Sequence, residues 1–158
     1  MSVLAHLRLQ LESARRLLGI MLAQTDAITR QDVESVLARL GDLQGELGHR
    51  NRLEADRDVL LREAGRVLGR DASELEFDDL LTLCPAVEVE PVKAASAELR
   101  GLLHEIGRVH EQNRVLIRQE LSFLDHLMRL MSGAPQAGYR PGGWTGAPQT
   151  ISVVDAKA

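Results

Sequence analysis

The sequence predicts an all-α protein: an antiparallel, coiled-coil-like bundle of three long helices, with one short helix before the third and a flexible C-terminal tail. Three observations carry this prediction. Hydrophobic residues make up 44% of the 158 but aromatic residues only 3%, so any core is built from Leu, Val, Ile, Met and Ala, as in helical bundles rather than sandwiches. Apolar residues recur at alternating spacings of three and four. Glycine and proline mark breaks at Gly69, between Pro85 and Pro91, and from Gly133 onward. The chain is long enough for one domain with its own core, expected over residues 1–132, with a tail over 133–158.

The first helix is expected over residues 3–25, with Leu4, Leu7, Leu11, Ala14, Leu18 and Met21 on its seam and Leu17, Ile20 and Leu22 widening the apolar face. A break follows near Ala27 to Thr29, where Thr29 has the chemistry of an N-cap and Asp32 lies three residues on. The second helix runs from Asp32 to about Leu68. Its seam reads Val36, Leu40, Leu43, Leu47, Arg50, Glu54, Arg57, Leu61, Ala64 and Leu68. Three charged seam positions in its middle mean either that the helix is exposed there or that its register shifts onto Leu53 and Leu60. Gly41, Gly45 and Gly48 lie near one another on this helix. They either permit close approach of another helix or are tolerated at the surface, at about 1 kcal/mol each relative to Ala.

Gly69 fits a C-cap. Ser73 and Glu76 form an S-x-x-E capping box for a short helix carrying Leu75, Phe77, Leu80, Leu81 and Leu83, ended by Pro85. The Pro85 to Pro91 segment reads as an extended connection, and Pro91 then opens the third helix. That helix runs to about Ser132. Wound at about 100° per residue, its Leu116, Ile117, Leu121, Phe123, Leu124, Leu127, Met128, Leu130 and Met131 cover about half the circumference. Packing against one neighbour needs a stripe of only about 100°. Either two helices of the same chain cover the arc, or one edge is held for a partner. Asn113 lies on the seam through Leu99, Leu102, Ile106, Val109 and Leu116, and Glu120 falls near the middle of the arc. Both are expected to set register, with Arg50 or Arg57 as basic residues that could meet Glu120. In the tail stand Tyr139 and the only tryptophan, Trp144, either docking into a partner or folding back on the bundle.

Several function classes are excluded. Lys and Arg number 19 against 23 Asp and Glu, with the signs interspersed, so the basic stripe of a nucleic-acid binder is missing. No stretch approaches the ~18 apolar residues of a membrane span, and no basic segment followed by an apolar run leads the sequence. A cytoplasmic location without membrane insertion is expected. The best ionisable pair, Glu46 and His49, is a single E-x-x-H, whereas di-iron bundles use two with further glutamates. His104-Glu105 and His110 fail the zinc-protease pattern, since residues six apart do not share a helical face. Cys84 has no helix N-terminus or basic neighbour in sequence to activate it. No catalytic residue, cofactor or metal site is therefore expected.

The run Asn113-Arg-Val-Leu-Ile-Arg-Gln-Glu-Leu-Ser-Phe-Leu, continuing through Leu127 and Leu130 to Gly138-Tyr139-Arg140-Pro141-Gly142, resembles the C-terminal signature of the FlgN family of bacterial flagellar export chaperones. The amphipathic first helix, Asp32 opening the second, and Leu53-Glu54, Arg57 and Leu60-Leu61 are similar to that family too. The glycine triplet and the Pro-Gly-Gly-Trp after Tyr139 depart from it. The resemblance implies a protein that binds C-terminal segments of hook-associated proteins, keeps them unassembled in the cytoplasm and delivers them to the type III export gate. It also implies that Tyr139 contacts the gate. Ile117, Leu121, Leu124, Met128 and Met131 are then expected on the cargo-facing edge, with Leu116, Phe123, Leu127 and Leu130 packed inside. A homodimer is the expected alternative, either as the state of the cargo-free chaperone or as a coiled-coil structural protein without a client.

Overall fold

The computed structural model describes residues 2–131, and among these there is no strand. The helices are α1 (Val3–Thr29), α2 (Val33–Leu68), α3 (Phe77–Thr82) and α4 (Ala86–Met131), with a 3-10 turn at Ala72–Glu74 ahead of α3. The expected tail, with Tyr139 and Trp144, lies outside the described residues, as does the expected domain boundary.

Ser2 caps α1 by accepting the Ala5 N–H at 3.2 Å. The helix runs four residues past its expected end, so Thr29 closes α1 instead of capping α2. The turn is a Schellman closure: Gln31 N–H donates to Ile28 O at 2.9 Å and Asp32 N–H to Ala27 O at 3.0 Å. Gln31 holds the left-handed position, φ 58°, that glycine usually takes. Asp32 then serves the next helix as well, accepting the Ser35 N–H at 3.0 Å as the N-cap of α2.

The register of α2 is the shifted one. Glu46, Leu53, Leu60 and Ala64 are buried, whereas Leu40 and Leu47 of the first seam stand exposed. Rotation onto Leu53 and Leu60 leaves Arg57 exposed and Arg50 and Glu54 half-buried, at the cost of an Arg50 Nη1 that is buried without a hydrogen-bond partner among the described residues. The space above Gly41, Gly45 and Gly48 is open, so no helix approaches them. Gly65 is different, because a Cβ there would meet Arg70 O at 2.6 Å and Ala72 N at 3.3 Å. Gly45→Ala should therefore stabilise by up to about 1 kcal/mol, and Gly65→Ala should destabilise by about 1–3 kcal/mol. Denaturant midpoints of opposite displacement would check the pair.

Gly69 ends α2 in the left-handed region, φ 67°, while Arg70 N–H donates to Gly65 O at 3.0 Å. The short helix is not capped as expected. Ser73 belongs to the 3-10 turn, its N–H bonded to Asp71 at 2.8 Å, and the reciprocal box is Glu76 with Asp79. An aspartate three residues into the helix reaches the Glu76 N–H at 2.9 Å and also takes the Arg70 guanidinium at 2.7 Å, ties that Ser73 does not offer.

The segment expected to be extended is helical from Ala86 onward, where α4 begins, and Pro91 lies inside the helix. The Val87 carbonyl loses its usual donor to the proline, but Val87 is 84% exposed, so the loss falls on the solvent side of the helix. Immediately after the proline, fully buried Val92 and then Ala95 pack on Leu4 and Leu11 of α1. This packing holds the first turns against their local preference. The helix is 46 residues long, about 69 Å at ~1.5 Å per residue.

The middle helix is α1, which packs on both α2 and α4 while those two make little contact with each other. Along α1 and α4 the partners advance together: Leu4 and Leu11 with Val92 and Ala95, then Leu17 and Met21 with Val109. Along α1 and α2 they run oppositely, Ser13 and Arg16 meeting Glu46 while Leu43 packs on the cluster that holds Leu17 and Met21. Ala14 and Ser13 are fully buried between them. Arg15 of α1 also pairs with Glu98 of α4 at the rim.

Candidate functional site

The contact between α1 and α4 ends in two polar links, and the groove opens beyond them. Asn113 is buried where α4 passes Met21. Its Nδ2 donates to Met21 O at 3.0 Å and to Gln24 Oε1 at 3.2 Å, and its Oδ1 accepts from the Thr25 hydroxyl at 2.6 Å. Every strong site on this amide has a partner on α1. Asn113→Ala should cost about 2 kcal/mol, since it strands buried groups on the other helix. A loss below about 0.5 kcal/mol in denaturant unfolding would show that these bonds do not couple the helices.

Two turns further on, Glu120 Oε2 accepts from Gln31 Nε2 at 2.9 Å. The expected arginines do not meet it: Arg57 pairs with Glu54 on its own helix. The reason lies in the α1–α2 turn. The left-handed Gln31 turns its amide toward α4, whereas Arg50 and Arg57 lie far down α2.

From Leu121 to Met131 every residue of α4 is exposed. Facing the first turn and a half of α2, this part of α4 forms a groove of about 510 Å³. Ile117, Leu121, Phe123, Leu124 and Leu127 make one wall, Val33, Val36 and Leu37 the other, and Ile28, Gln31 and Glu120 lie between. Leu124 is 52% and Leu37 62% exposed. Three of the five expected cargo residues, Ile117, Leu121 and Leu124, thus come together on the groove, while Met128 (70% exposed) and Met131 continue the same edge past it. The inward set is corrected: Leu116 is half-buried, but Phe123 and Leu130 are more than half exposed, and Phe123 and Leu127 line the groove. The reason is that α1 ends at Thr29, level with about Glu120, so no residue of α1 covers the inner edge beyond that point.

The α2 wall was missed in the sequence. A signal existed, because Val33, Leu37, Leu40 and Leu47 fall on a seam of alternating four and three spacing when Gln44 is included. That second seam competes with the one through Leu43 and Leu53, and spacing alone does not decide which is buried.

The ionisable groups considered for chemistry in the sequence are held in structural contacts or away from an activated state. Glu46, the acid of the E-x-x-H pair, is spoken for: Ser13 Oγ donates to Oε1 at 2.5 Å and Arg16 Nε to Oε2 at 3.0 Å. Burial alone would push its carboxyl up, but the Arg16 and Ser13 hydrogen bonds outweigh that and hold it below the ordinary range. Burial and the nearby Glu88 push the Cys84 thiol up, the opposite of activation. Among the described residues no three His, Cys, Asp or Glu side chains are grouped so as to hold a metal, and no helix is long and apolar enough to cross a membrane.

Compared with known proteins, the chain matches one family model, described as FlgN protein, over residues 1–146. No curated protein and no solved structure matches it.

Proposed function

We propose, from the premise that this chain belongs to the FlgN family and is a flagellar export chaperone, that its groove receives the C-terminal segments of hook-associated (hook–filament junction) proteins. In this reading residues 1–132 are the chaperone domain, an antiparallel bundle whose third long helix overreaches the other two. It keeps its clients unassembled in the cytoplasm and delivers them to the type III export gate, with Tyr139 on the tail at 133–158 as the gate contact.

The observation that carries the reading is the apolar groove with walls on two helices. From Ile117 to Leu127 the α4 wall is about 15 Å long at ~1.5 Å per residue. That accommodates two to three turns of an amphipathic helix, the form a disordered subunit end takes when it folds on binding. Ile117, Leu121, Leu124, Met128 and Met131 make a continuous seam for it. The two methionines let the far end repack around more than one client. Asn113 and Glu120 hold α4 in register with α1, so the wall is presented at a fixed height above the α1–α2 turn.

Calorimetric titration with the C-terminal segment of the hook–filament junction protein from the same organism tests this. One-to-one binding with a clearly negative heat-capacity change is the expected result. No binding, in a protein that sediments as a stable dimer, would make the exposed face of α4 a self-interface instead. For the gate, undiminished binding of cargo-loaded Tyr139→Ala would remove Tyr139 from the contact.

A further inference from the structure

The groove is unpartnered among the described residues, yet a set of apolar side chains this exposed is costly to leave in water. The chain itself supplies a cover. Another 27 residues follow Met131, and they leave from the helix that forms one wall of the groove. Gly133, Pro135 and Gly138 allow a reversal of direction at the start of this stretch. Trp144 lies 13 residues beyond Met131, a reach of up to about 43 Å, which is more than the ~15 Å length of the wall. The stretch holds the only tyrosine and only tryptophan of the chain, followed by Ile151, Val153 and Val154. It also carries two cations, Arg140 and Lys157, against one acidic side chain, Asp155. The groove offers the complement, an apolar trough containing the Glu120 carboxylate, whose bonded partner there is the neutral amide of Gln31.

We propose that, when no other protein occupies it, the groove between α2 and the end of α4 is covered by the chain's own segment from Tyr139 to Val154, with Trp144 as the apolar anchor. Tethering at the lip of the groove gives the segment an effective concentration on the order of millimolar. A second copy at micromolar concentration does not compete with that. The consequence that a client must displace the segment rests on the chaperone reading; the contact itself does not.

Trp144 reports directly, being the only tryptophan. Its emission in the full chain should be blue-shifted, unchanged from low to high micromolar concentration, in a protein that sediments as a monomer. Leu37→Asp or Leu124→Asp, both at exposed positions, should move the emission to that of a solvated indole. A solvated indole in the unaltered chain, or a blue shift that survives both substitutions, overturns the proposal. A blue shift that grows with concentration alongside dimer formation also overturns it, in favour of a second copy.

Addition of the hook–filament junction protein's C-terminal segment should reverse the blue shift, and full-length Trp144→Ala should bind that segment at least about tenfold tighter (~1.4 kcal/mol). Equal affinity of the two chains overturns the proposal while leaving the chaperone reading intact. A groove-dependent blue shift with no segment binding to either chain supports the self-contact and overturns the choice of client.

Discussion

Leu124→Asp should weaken binding of the hook-associated C-terminal segment at least about 100-fold, a cost of ~2.7 kcal/mol, while leaving the melting temperature nearly unchanged. Against the described residues Leu124 is half exposed, and it lines the groove. Its folded state therefore has little burial to lose. The bound state has much more: full burial of a leucine is worth about 1.5–3 kcal/mol, and an aspartate in the same place must give up its hydration without a cation to meet it. Calorimetry and a thermal melt on the same sample separate the two effects. A fall in melting temperature with intact affinity would mean that this edge of α4 packs inside and that the client sits elsewhere.

The second large effect is on the seam between α1 and α2, where Glu46→Ala should cost about 2–3 kcal/mol. The substitution leaves the fully buried Ser13 hydroxyl without its carboxylate and Arg16 with only the looser Glu12 contact at 4.0 Å. For a chain of this size that lowers the melting temperature by about 4–12 °C. The same seam makes the fold acid-sensitive in two steps. Burial lowers the His6 pKa, opposed by Asp56 and Glu54 and abetted by Arg57, so the unfolded chain takes up that proton first. Stability therefore begins to fall as the pH drops below about 6.5. Glu46, held below its ordinary range, adds stability above about pH 4.3 that is lost as the pH falls through its lowered folded value. Glu46→Ala should flatten the lower step and His6→Gln the upper one. A melting temperature independent of pH from 7 to 3 would contradict both.

The helical class, the long second and third helices and the Gly69 stop were legible because each rests on local chemistry: spacing of leucines, scarcity of aromatics, a glycine able to turn left-handed. The family was legible from the run Asn113 to Leu124 because the order of its side chains is itself a local property of the sequence. Local chemistry also misled. The prolines at 85 and 91 read as an extended link, yet α4 passes through Pro91 because Val92 and Ala95 are buried on α1. Ser73 and Glu76 matched a capping pattern that the Glu76–Asp79 pair fills instead.

By itself, then, the sequence determined that this chain is an all-helical member of a chaperone family, with an apolar arc on its last long helix too wide for one neighbour. Only the tertiary structure decided where that arc is free. The free stretch begins where α1 stops, and α1 stops at a turn in which Gln31 takes a glycine's place and Asp32 belongs to both helices. The opposite wall is set by the choice of the Leu53–Leu60 face of α2 for the core, which turns Val33 and Leu37 outward. Periodicity fixes which residues share a face, but which face is buried depends on the balance of burial and desolvation over all the helices at once.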